Sequence, residues 1–339
     1  MMRLPYFRYL APRSVREAAE LLAANSGAML VAGGTDVLPN MKRRQQVPET
    51  LVGLRQIAEL KQITNGDGLR IGAGITLTQI IGHLETPGPY AALRQAAAQV
   101  ATPHLRNMGT LGGNLCLDTR CNYYDQNYEW RKAINFCMKK DGETCWVAPS
   151  SSKCLAVSST DSAPALVALG ATVTLVSAEK TRTIALPDFY RNDGIYYLTR
   201  QPAEILTAIH VPRLDRWRST YWKLRRRGSF DFPVLSVAAA LKMAQDGSVE
   251  AARIVLGAVA SRPIEAPAAA SSLVGERLTD AVIARAAELA AVPARPMDNT
   301  DFTLAWRKRV ARDFVTYALR EVRGDDVSKL RRSVARYLV

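Results

Sequence analysis

Hydrophobic positions near the start of the chain alternate between helical and strand spacing. Residues 15–24 carry apolar side chains at helical intervals, and Ser14 precedes them with Glu17 three residues later, which is the spacing of a capping box. Residues 28–32 form a short apolar run typical of a buried strand. The segment 1–57 is therefore predicted to be a small α/β unit.

Residues 58–215 show the same mixture on a larger scale. The predicted strands are residues 69–74, 171–176, 182–186 and 204–212, and the predicted helices are residues 78–84, 90–100 and 163–170. The last strand ends at Pro212, because a proline cannot donate to the strand ladder. This pattern predicts a second α/β unit.

The remaining segment, residues 216–339, places strands before helices. The predicted strands are residues 220–224, 236–243 and 251–259, followed by a helix over 278–291 and by a helix that Asp301 would cap and that carries Trp306, Val310 and Phe314 at four-residue spacing. A run of strands followed by helices indicates an α+β domain. A chain of 339 residues is longer than one core usually serves, so several domains are expected.

Two glycine turns interrupt these patterns. Gly33 and Gly34 join the strand at 28–32 to a helical pattern at 37–42, and a second glycine turn covers residues 109–114. Glycines let the backbone approach a phosphate closely, and free N–H groups at a helix start face the anion. Neither turn has a Rossmann or Walker fingerprint. A Gly-Gly turn is also a common plain connection, so the pattern alone leaves both interpretations open.

All five cysteines lie between residues 116 and 154. Four of them have the spacing C-x15-C-x7-C-x8-C within a polar stretch that lacks a sustained period: Cys121, Cys137, Cys145 and Cys154. Without an export signal, disulfides are not expected, and structural zinc usually shows close C-x2-C pairs. Four widely spaced thiols favour an iron–sulfur cluster, with zinc and free cysteines as the alternatives. Cys116 follows the second glycine turn and is interpreted as a free buried cysteine.

Composition and charge narrow the function classes. The chain is 48% hydrophobic and carries a formal net charge of +14, with its basic residues interspersed among acidic ones. This interspersion favours a basic face covered by a partner over nucleic-acid binding. No secretory signal and no apolar run of roughly 18 residues is present, so a cytoplasmic protein without membrane contact is expected.

The sequence offers little equipment for acid–base catalysis. The three histidines His83, His104 and His210 are not spaced as ligands and are interpreted as structural. No nucleophile elbow, metalloprotease motif or paired-carboxylate signature is present. The function class that remains is redox chemistry by bound cofactors. Asp161 and Lys223 either face such a cofactor or serve as a helix cap and a solvated basic face.

In their order, these motifs resemble the FAD-binding medium subunits of the molybdenum hydroxylases, the relatives of xanthine dehydrogenase and carbon monoxide dehydrogenase. The resemblance rests on residues 31–36, residues 107–114, Asp161, residues 221–223, Arg227 and residues 231–233. It implies an α+β fold, with a two-subdomain FAD-binding domain of the vanillyl-alcohol-oxidase (PCMH) type over residues 1–57 and 58–215. A C-terminal α+β domain of the CO dehydrogenase flavoprotein type would follow over residues 216–339.

The same resemblance implies which residues bind FAD. The two glycine turns would hold the pyrophosphate, and Asp161, Leu206 and Lys223 match positions that usually contact the flavin or its ribityl chain. The full implied set is Leu30, Val31, Ala32, Gly33, Gly34, Thr35, Asp36, Thr102, Thr110, Leu111, Gly112, Gly113, Asn114, Asp161, Leu206 and Lys223.

An insertion over about residues 116–156 departs from most of that family. It resembles the insertion in the β subunits of the 4-hydroxybenzoyl-CoA reductases, which carries a [4Fe–4S] cluster. The implied ligands are Cys121, Cys137, Cys145 and Cys154. Cys116 matches no ligand position.

What the resemblance implies about activity is electron transfer. Reduced ferredoxin would donate electrons through the [4Fe–4S] cluster and FAD of this chain. They would continue through two [2Fe–2S] clusters of a small subunit to a molybdenum cofactor in a large subunit, in a dimer of heterotrimers. The enzyme would remove the phenolic hydroxyl of 4-hydroxybenzoyl-CoA during anaerobic aromatic degradation, with no catalytic residue in this chain, and the basic surface would attract the acidic ferredoxin. The alternatives are another molybdenum hydroxylase and a zinc-binding interaction module.

Overall fold

A computed structural model describes residues 3–336, which form three β-sheets with helices packed on them. The strands are β1 (Arg8–Leu10), β2 (Met29–Val31), β3 (Thr50–Gly53), β4 (Ile63–Gly66), β5 (Gly68–Gly72), β6 (Thr172–Val176), β7 (Thr181–Ala185), β8 (Ile205–Val211), β9 (Trp217–Leu224), β10 (Leu235–Met243), β11 (Val249–Gly257) and β12 (Ile264–Glu265). The α-helices are α1 (Val15–Ala24), α2 (Val37–Lys42), α3 (Leu77–His83), α4 (Ala91–Ala98), α5 (Pro103–Arg106), α6 (Leu111–Leu115), α7 (Tyr128–Ala133), α8 (Ser162–Ala168), α9 (Pro267–Ser271), α10 (Asp280–Ala291), α11 (Leu304–Arg323) and α12 (Ser328–Arg336). Two 3-10 helices cover Ala58–Lys61 and Leu186–Phe189.

The first sheet is parallel, in the order β1-β3-β2. Helix α1 begins as its pattern predicts, because the Ser14 hydroxyl accepts a hydrogen bond from the N–H of Glu17 at 3.1 Å. The capping box is incomplete, since the Glu17 carboxylate accepts from the N–H of Arg13 instead. The apolar face of α1 is buried against β3 and the second sheet. Strand β2 and helix α2 lie where the alternation predicts them and place the first glycine turn between them.

The second sheet is antiparallel, in the order β4-β5-β8-β6-β7, with β8 at its centre. The apolar run of β8 is buried between its two neighbours, in agreement with the sequence prediction. One continuous core joins this sheet, helices α4 and α8, and the near face of the third sheet. The second and third sheets therefore share a single packed layer of helices.

The third sheet is antiparallel, in the order β12-β11-β10-β9, and its other face packs against α10 and α11. The short strand β12 is an addition to the three strands that the sequence predicts. Helix α11 is capped by Thr303, whose hydroxyl accepts from the N–H of Trp306 at 3.4 Å, and the prediction of Asp301 as its cap is wrong. Phe302 has a positive φ of 68°, so the chain turns sharply between Asp301 and the helix. The Asp301 carboxylate accepts from Arg226 instead, at 3.0 Å.

The cysteine insertion contains a short helix that the sequence analysis missed. Helix α7 spans only six residues and is capped by Asn127, which accepts from the N–H of Trp130 at 2.9 Å. A helix of this length is too short to show a full apolar period. An isolated bridge between Arg120 and Val157 joins the two ends of the insertion, and the insertion is also bonded to the rest of the chain, for example by the N–H of Asn122 to the carbonyl oxygen of Asn299 at 3.0 Å.

Replacing the cap of α11 tests this assignment. We expect Thr303→Ala to lower the free energy of unfolding by about 1 kcal/mol, because the N–H of Trp306 loses its acceptor. The matched control Asp301→Ala removes only an ion pair in which Arg226 and Asp301 are 66% and 38% exposed. It should change the free energy of unfolding by less than about 0.5 kcal/mol. Urea denaturation measures both, and a larger loss for Asp301→Ala would contradict the cap assignment.

Candidate functional site

A cleft of about 620 Å³ lies between the first and second sheets, and we call it the central cleft. Strand β2 and the first glycine turn form one side, and the second glycine turn and the start of β8 form the other. The loop over residues 227–232, which follows β9, contributes Arg227, Phe230, Asp231 and Phe232. The tertiary structure thus brings together the two glycine turns that the sequence singled out.

The two glycine turns touch each other. A Cβ atom added to Gly33 would lie 1.9 Å from the carbonyl oxygen of Met108, which directly precedes the second turn. A Cβ atom added to Gly112, within the second turn, would lie 2.7 Å from the Cβ of Ala73, which follows β5. Only a residue without a side chain fits at these points. Gly34 has a φ of 72°, which glycine adopts without strain and which turns the chain from β2 into α2.

The N–H groups of the two turns differ in availability. Among the described residues, those of Gly34 and Thr35 donate to no protein acceptor. In the second turn, the N–H of Gly112 donates to Ala73 at 2.9 Å and that of Gly113 to the Thr110 hydroxyl at 3.1 Å. The first turn therefore offers free donors for an anion, while the second is fixed to the end of β5.

A carboxylate beside the first turn is held by a distant arginine. Asp36 forms an ion pair with Arg120 and accepts a hydrogen bond from Asn40 at 3.1 Å. Burial raises the pKa of Asp36, and the Arg120 guanidinium opposes that rise. Arg120 also pairs with Asp125 at 3.2 Å and lies 4.9 Å from the centre of the Phe232 ring. The arginine thus links the first turn, the cysteine insertion and the loop after β9.

Asp161 lies at the wall of the central cleft in a fully buried network. Its carboxylate accepts from the Tyr221 hydroxyl at 2.6 Å and from Lys223 Nζ at 2.9 Å. Burial raises the pKa of Asp161, with Lys223 opposing, and burial lowers the pKa of Lys223. Asp161 occupies the N-cap position of α8, as one sequence interpretation expected, but its side chain makes no capping hydrogen bond.

Lys223 lies behind Asp161 and does not line the central cleft. Besides its ion pair, its ammonium group donates to the carbonyl oxygens of Gln99 at 3.0 Å and Asp231 at 2.8 Å. These three acceptors use all the donors of an ammonium group. Lys223 therefore holds together the segments on either side of the cleft wall, and the interpretation as a solvated basic face is wrong, since its side chain has 0% exposure.

Most residues that the family resemblance implied for FAD do line the central cleft. Those that line it are Leu30, Val31, Ala32, Gly33, Gly34, Thr35, Asp36, Thr110, Gly112, Gly113, Asn114, Asp161 and Leu206. Three do not: Lys223, Thr102, which caps α5, and Leu111, which is fully buried in the core. Each of the three contacts or adjoins a lining residue: Lys223 pairs with Asp161, the Thr102 hydroxyl accepts from the N–H of Leu105, and Leu111 follows Thr110 in the chain.

The cleft also has lining residues that the sequence analysis did not select. Arg120 and Tyr197 had no local signal, because each is isolated in sequence from the glycine turns. Cys116 lines the cleft too and is half-buried, and burial raises its pKa to about 11. None of the histidines His83, His104 and His210 lines the cleft, and His210 bonds through Nε2 to the carbonyl oxygen of Asp67 at 2.7 Å.

A second, smaller cavity lies inside the insertion, and we call it the cysteine cavity. The four spaced cysteines all line it and are all buried: Cys121, Cys137, Cys145 and Cys154. Burial raises the pKa of Cys121 to about 12 and that of Cys154 to about 11, so these two thiols stay protonated at neutral pH when they are free. Within residues 3–336, no group of three or more His, Cys, Asp or Glu side chains has an arrangement that could hold a metal ion.

Across residues 3–336, no helix combines the length and the apolar character needed to cross a membrane. Helix α11, the longest of these helices, contains many charged residues.

Comparison with known families gives two matches that cover most of the chain. Residues 5–214 match the family described as the FAD-binding domain in molybdopterin dehydrogenase. Residues 219–322 match the family described as the CO dehydrogenase flavoprotein C-terminal domain. The predicted fold class, an FAD-binding domain followed by a C-terminal α+β domain of that type, is confirmed.

Individual relatives agree with these matches. The aldehyde oxidoreductase FAD-binding subunit PaoB of Escherichia coli is 34% identical over 315 residues, which cover 89% of this chain and 95% of that protein. The carbon monoxide dehydrogenase medium chain of Afipia carboxidovorans is 28% identical over 307 residues, covering 90% and 92%.

Solved structures of the same type superpose along nearly the whole chain. CO dehydrogenase from Oligotropha carboxidovorans matches with a TM-score of 0.77 at 28% identity, covering 95% of this chain and 99% of that chain. Quinoline 2-oxidoreductase from Pseudomonas putida 86 matches with a TM-score of 0.74 at 27% identity, covering 95% and 98%.

The contact between the glycine turns can be tested by a single methyl group. We expect Gly33→Ala to weaken FAD binding at least about tenfold, or about 1.4 kcal/mol, because the new Cβ must displace the Met108 carbonyl. Gly66→Ala is the matched control, because a Cβ atom at Gly66 would meet open space. We expect this variant to bind FAD normally. Fluorescence titration of the apoprotein measures both, and equal affinities would contradict the role of this contact.

Proposed function

We propose a function from the premise that this chain belongs to the FAD-binding family of the molybdopterin dehydrogenases. It is the FAD subunit of a molybdenum hydroxylase, and in our proposal it also holds an iron–sulfur cluster and relays electrons between the molybdenum subunit and an external carrier. In this proposal, substrate chemistry takes place in a partner subunit.

The donors at the central cleft suit FAD. The free N–H groups of Gly34 and Thr35 would face its pyrophosphate, and the close-packed glycines leave room for the backbone to approach it. Asp161 would accept hydrogen bonds from the ribityl or ring donors, held in place by Tyr221 and Lys223. When bound, FAD supplies exchange of electrons, and the protein supplies its position and its electrostatic surroundings.

The observation that carries the cluster proposal is the cysteine cavity itself. Four cysteines from widely separated positions in one insertion reach a single cavity, where all are buried. Burial makes Cys121 and Cys154 poor thiolates unless a cation is present. The four thiols match the donor set of a [4Fe–4S] cluster, in which each cysteine binds a different iron at one corner of a larger body.

Zinc is the less suitable occupant. A single zinc ion requires its ligands to converge to about 2.3 Å from one point. Structural zinc sites usually also draw two of these ligands from a close C-x2-C pair, which the four spaced cysteines lack. Cys121, Cys137, Cys145 and Cys154 are therefore our proposed cluster ligands, and the zinc-binding interaction module is set aside.

The partners follow from the family. Relatives of this chain are named as medium chains, such as that of carbon monoxide dehydrogenase, which places large and small subunits beside them. We propose a large molybdenum subunit and a small [2Fe–2S] subunit as partners, assembled as a dimer of heterotrimers. The net charge of +14 supports an acidic external carrier such as a ferredoxin.

The partner's reaction has two candidates. Oxidation of an aldehyde and water to a carboxylic acid releases two electrons and two protons, and the PaoB relative at 34% identity supports this reaction. Reductive dehydroxylation of 4-hydroxybenzoyl-CoA to benzoyl-CoA and water consumes two electrons, which reduced ferredoxin would supply, and two protons from the solvent. That second candidate is supported by the resemblance of the cysteine insertion. We place aldehyde oxidation first, because it is supported along nearly the whole chain.

Iron analysis tests the cluster. We expect four irons per chain, and we expect Cys137→Ser to lose that iron and its electron paramagnetic resonance signal in the reduced protein while FAD is retained. Cys116→Ser is the matched control and should keep its iron, because Cys116 lies outside the cysteine cavity. One zinc per chain in place of iron, or unchanged iron in Cys137→Ser, would rule out the proposed ligand set.

The direction of electron flow separates the two candidate reactions. In the assembled enzyme without oxygen, we expect an aromatic aldehyde to bleach the flavin absorbance, because substrate oxidation delivers electrons to this chain. The parallel sample receives reduced ferredoxin and 4-hydroxybenzoyl-CoA. Formation of benzoyl-CoA there, with no bleaching by aldehyde, would reverse our order of candidates.

A further inference from the structure

A buried ion pair lies in the wall between the central cleft and the cysteine cavity. Asp118 lines the cleft, Lys139 lines the cavity, and Lys139 Nζ lies 2.8 Å from Asp118 Oδ1. The two side chains are only 8% and 6% exposed. Among residues 3–336, Lys139 is the one charged side chain that lines the cysteine cavity.

The orientation of this pair is fixed by its other contacts. Lys139 Nζ also donates to the Thr119 hydroxyl and to the carbonyl oxygen of Gly194, both at 2.7 Å, so its three donors are all in use. The Asp118 carboxylate accepts from the Tyr124 hydroxyl at 3.4 Å. Aromatic rings enclose the ammonium group, with the ring centre of Tyr124 at 4.9 Å and that of Tyr197 at 5.7 Å.

The ion pair gives the wall a fixed electric dipole. The cation of the pair belongs to Lys139, which lines the cysteine cavity, and the anion belongs to Asp118, which lines the central cleft. A fixed charge in a buried site acts far more strongly on its neighbours than a charge in water does. A cation beside an iron–sulfur site stabilises the added electron, and an anion beside a flavin opposes the negative charge that reduction brings.

We propose that the Lys139–Asp118 pair sets the difference in reduction potential between the two cofactors, raising that of the cluster and lowering that of the flavin. The inference rests on the proposed function, because it requires both cofactors. The pair takes no part in electron transfer as a carrier. It acts as a positioned dipole that favours the electron on the cluster side of the wall.

Redox titration of the assembled enzyme tests this inference, with electron paramagnetic resonance for the cluster and absorbance for the flavin. We expect Lys139→Met to disfavour the reduced cluster about tenfold, which is a fall of ~59 mV for a one-electron couple. Lys139→Arg keeps the charge and should restore most of the potential. Lys140→Met is the matched control, because Lys140 pairs with Asp141 outside the cavity and its loss should leave the potential unchanged.

Asp118→Asn tests the other end of the pair, and we expect it to raise the flavin potential. The double variant, Lys139→Met with Asp118→Asn, avoids a buried unpaired charge if the single variants fail to fold. It should show a lower cluster potential and a higher flavin potential together. Potentials equal to those of the parent protein in iron-loaded variants, or an equal shift in Lys140→Met, would overturn this inference alone. A parent chain that holds FAD but no iron would overturn the proposed cluster as well.

Discussion

The close approach of Gly33 to the carbonyl oxygen of Met108 is the contact on which the central cleft depends. The first sheet carries one glycine turn and the second sheet's helices carry the other, and the two units meet where Gly33, which has no side chain, faces the backbone of Met108. Because the turns touch, the free N–H groups of Gly34 and Thr35 face the same space as Asp161 and Leu206 from the far side. A cofactor placed there is held by both units at once, which explains why neither unit alone would form the site.

Buried charge is the second constraint around this contact. Three carboxylates at the cleft wall each pair with a cation from a distant part of the chain: Asp36 with Arg120, Asp161 with Lys223, and Asp118 with Lys139. Removing such groups from water costs several kcal/mol per ion, so each pair is tolerated only with good geometry and further hydrogen bonds. The carbonyl acceptors of Lys223 and Lys139 meet that requirement. The same pairs fix the electric field in which a flavin and a cluster would exchange electrons.

Several errors of the sequence analysis have a common physical cause. Asp301 and Thr303 are both good caps by residue type, and the positive φ at Phe302 decided which of them stands next to the helix. Asp161 stands at the N-cap position of α8, but its carboxylate accepts from Tyr221 and Lys223, some 60 residues away in sequence, instead of capping the helix. Residue propensity identifies several residues that could take a given role, such as a helix cap. Which of them takes it depends on contacts that the local sequence does not contain.

The sequence by itself determined most of the longer strands and helices, and it singled out the two glycine turns and the four spaced cysteines. Backbone sterics explain why glycines after an apolar strand indicate a tight turn, and thiol chemistry explains why spaced cysteines indicate a shared site. Both properties act within a few residues, so the sequence alone reveals them. Only the tertiary structure decided that Cys116 lines the cleft while the other cysteines share a cavity. It alone placed Lys139 against Asp118, 21 residues away in sequence, in the wall between the sites. Pairing of this kind depends on how the whole insertion packs against the second sheet, and no local pattern records it.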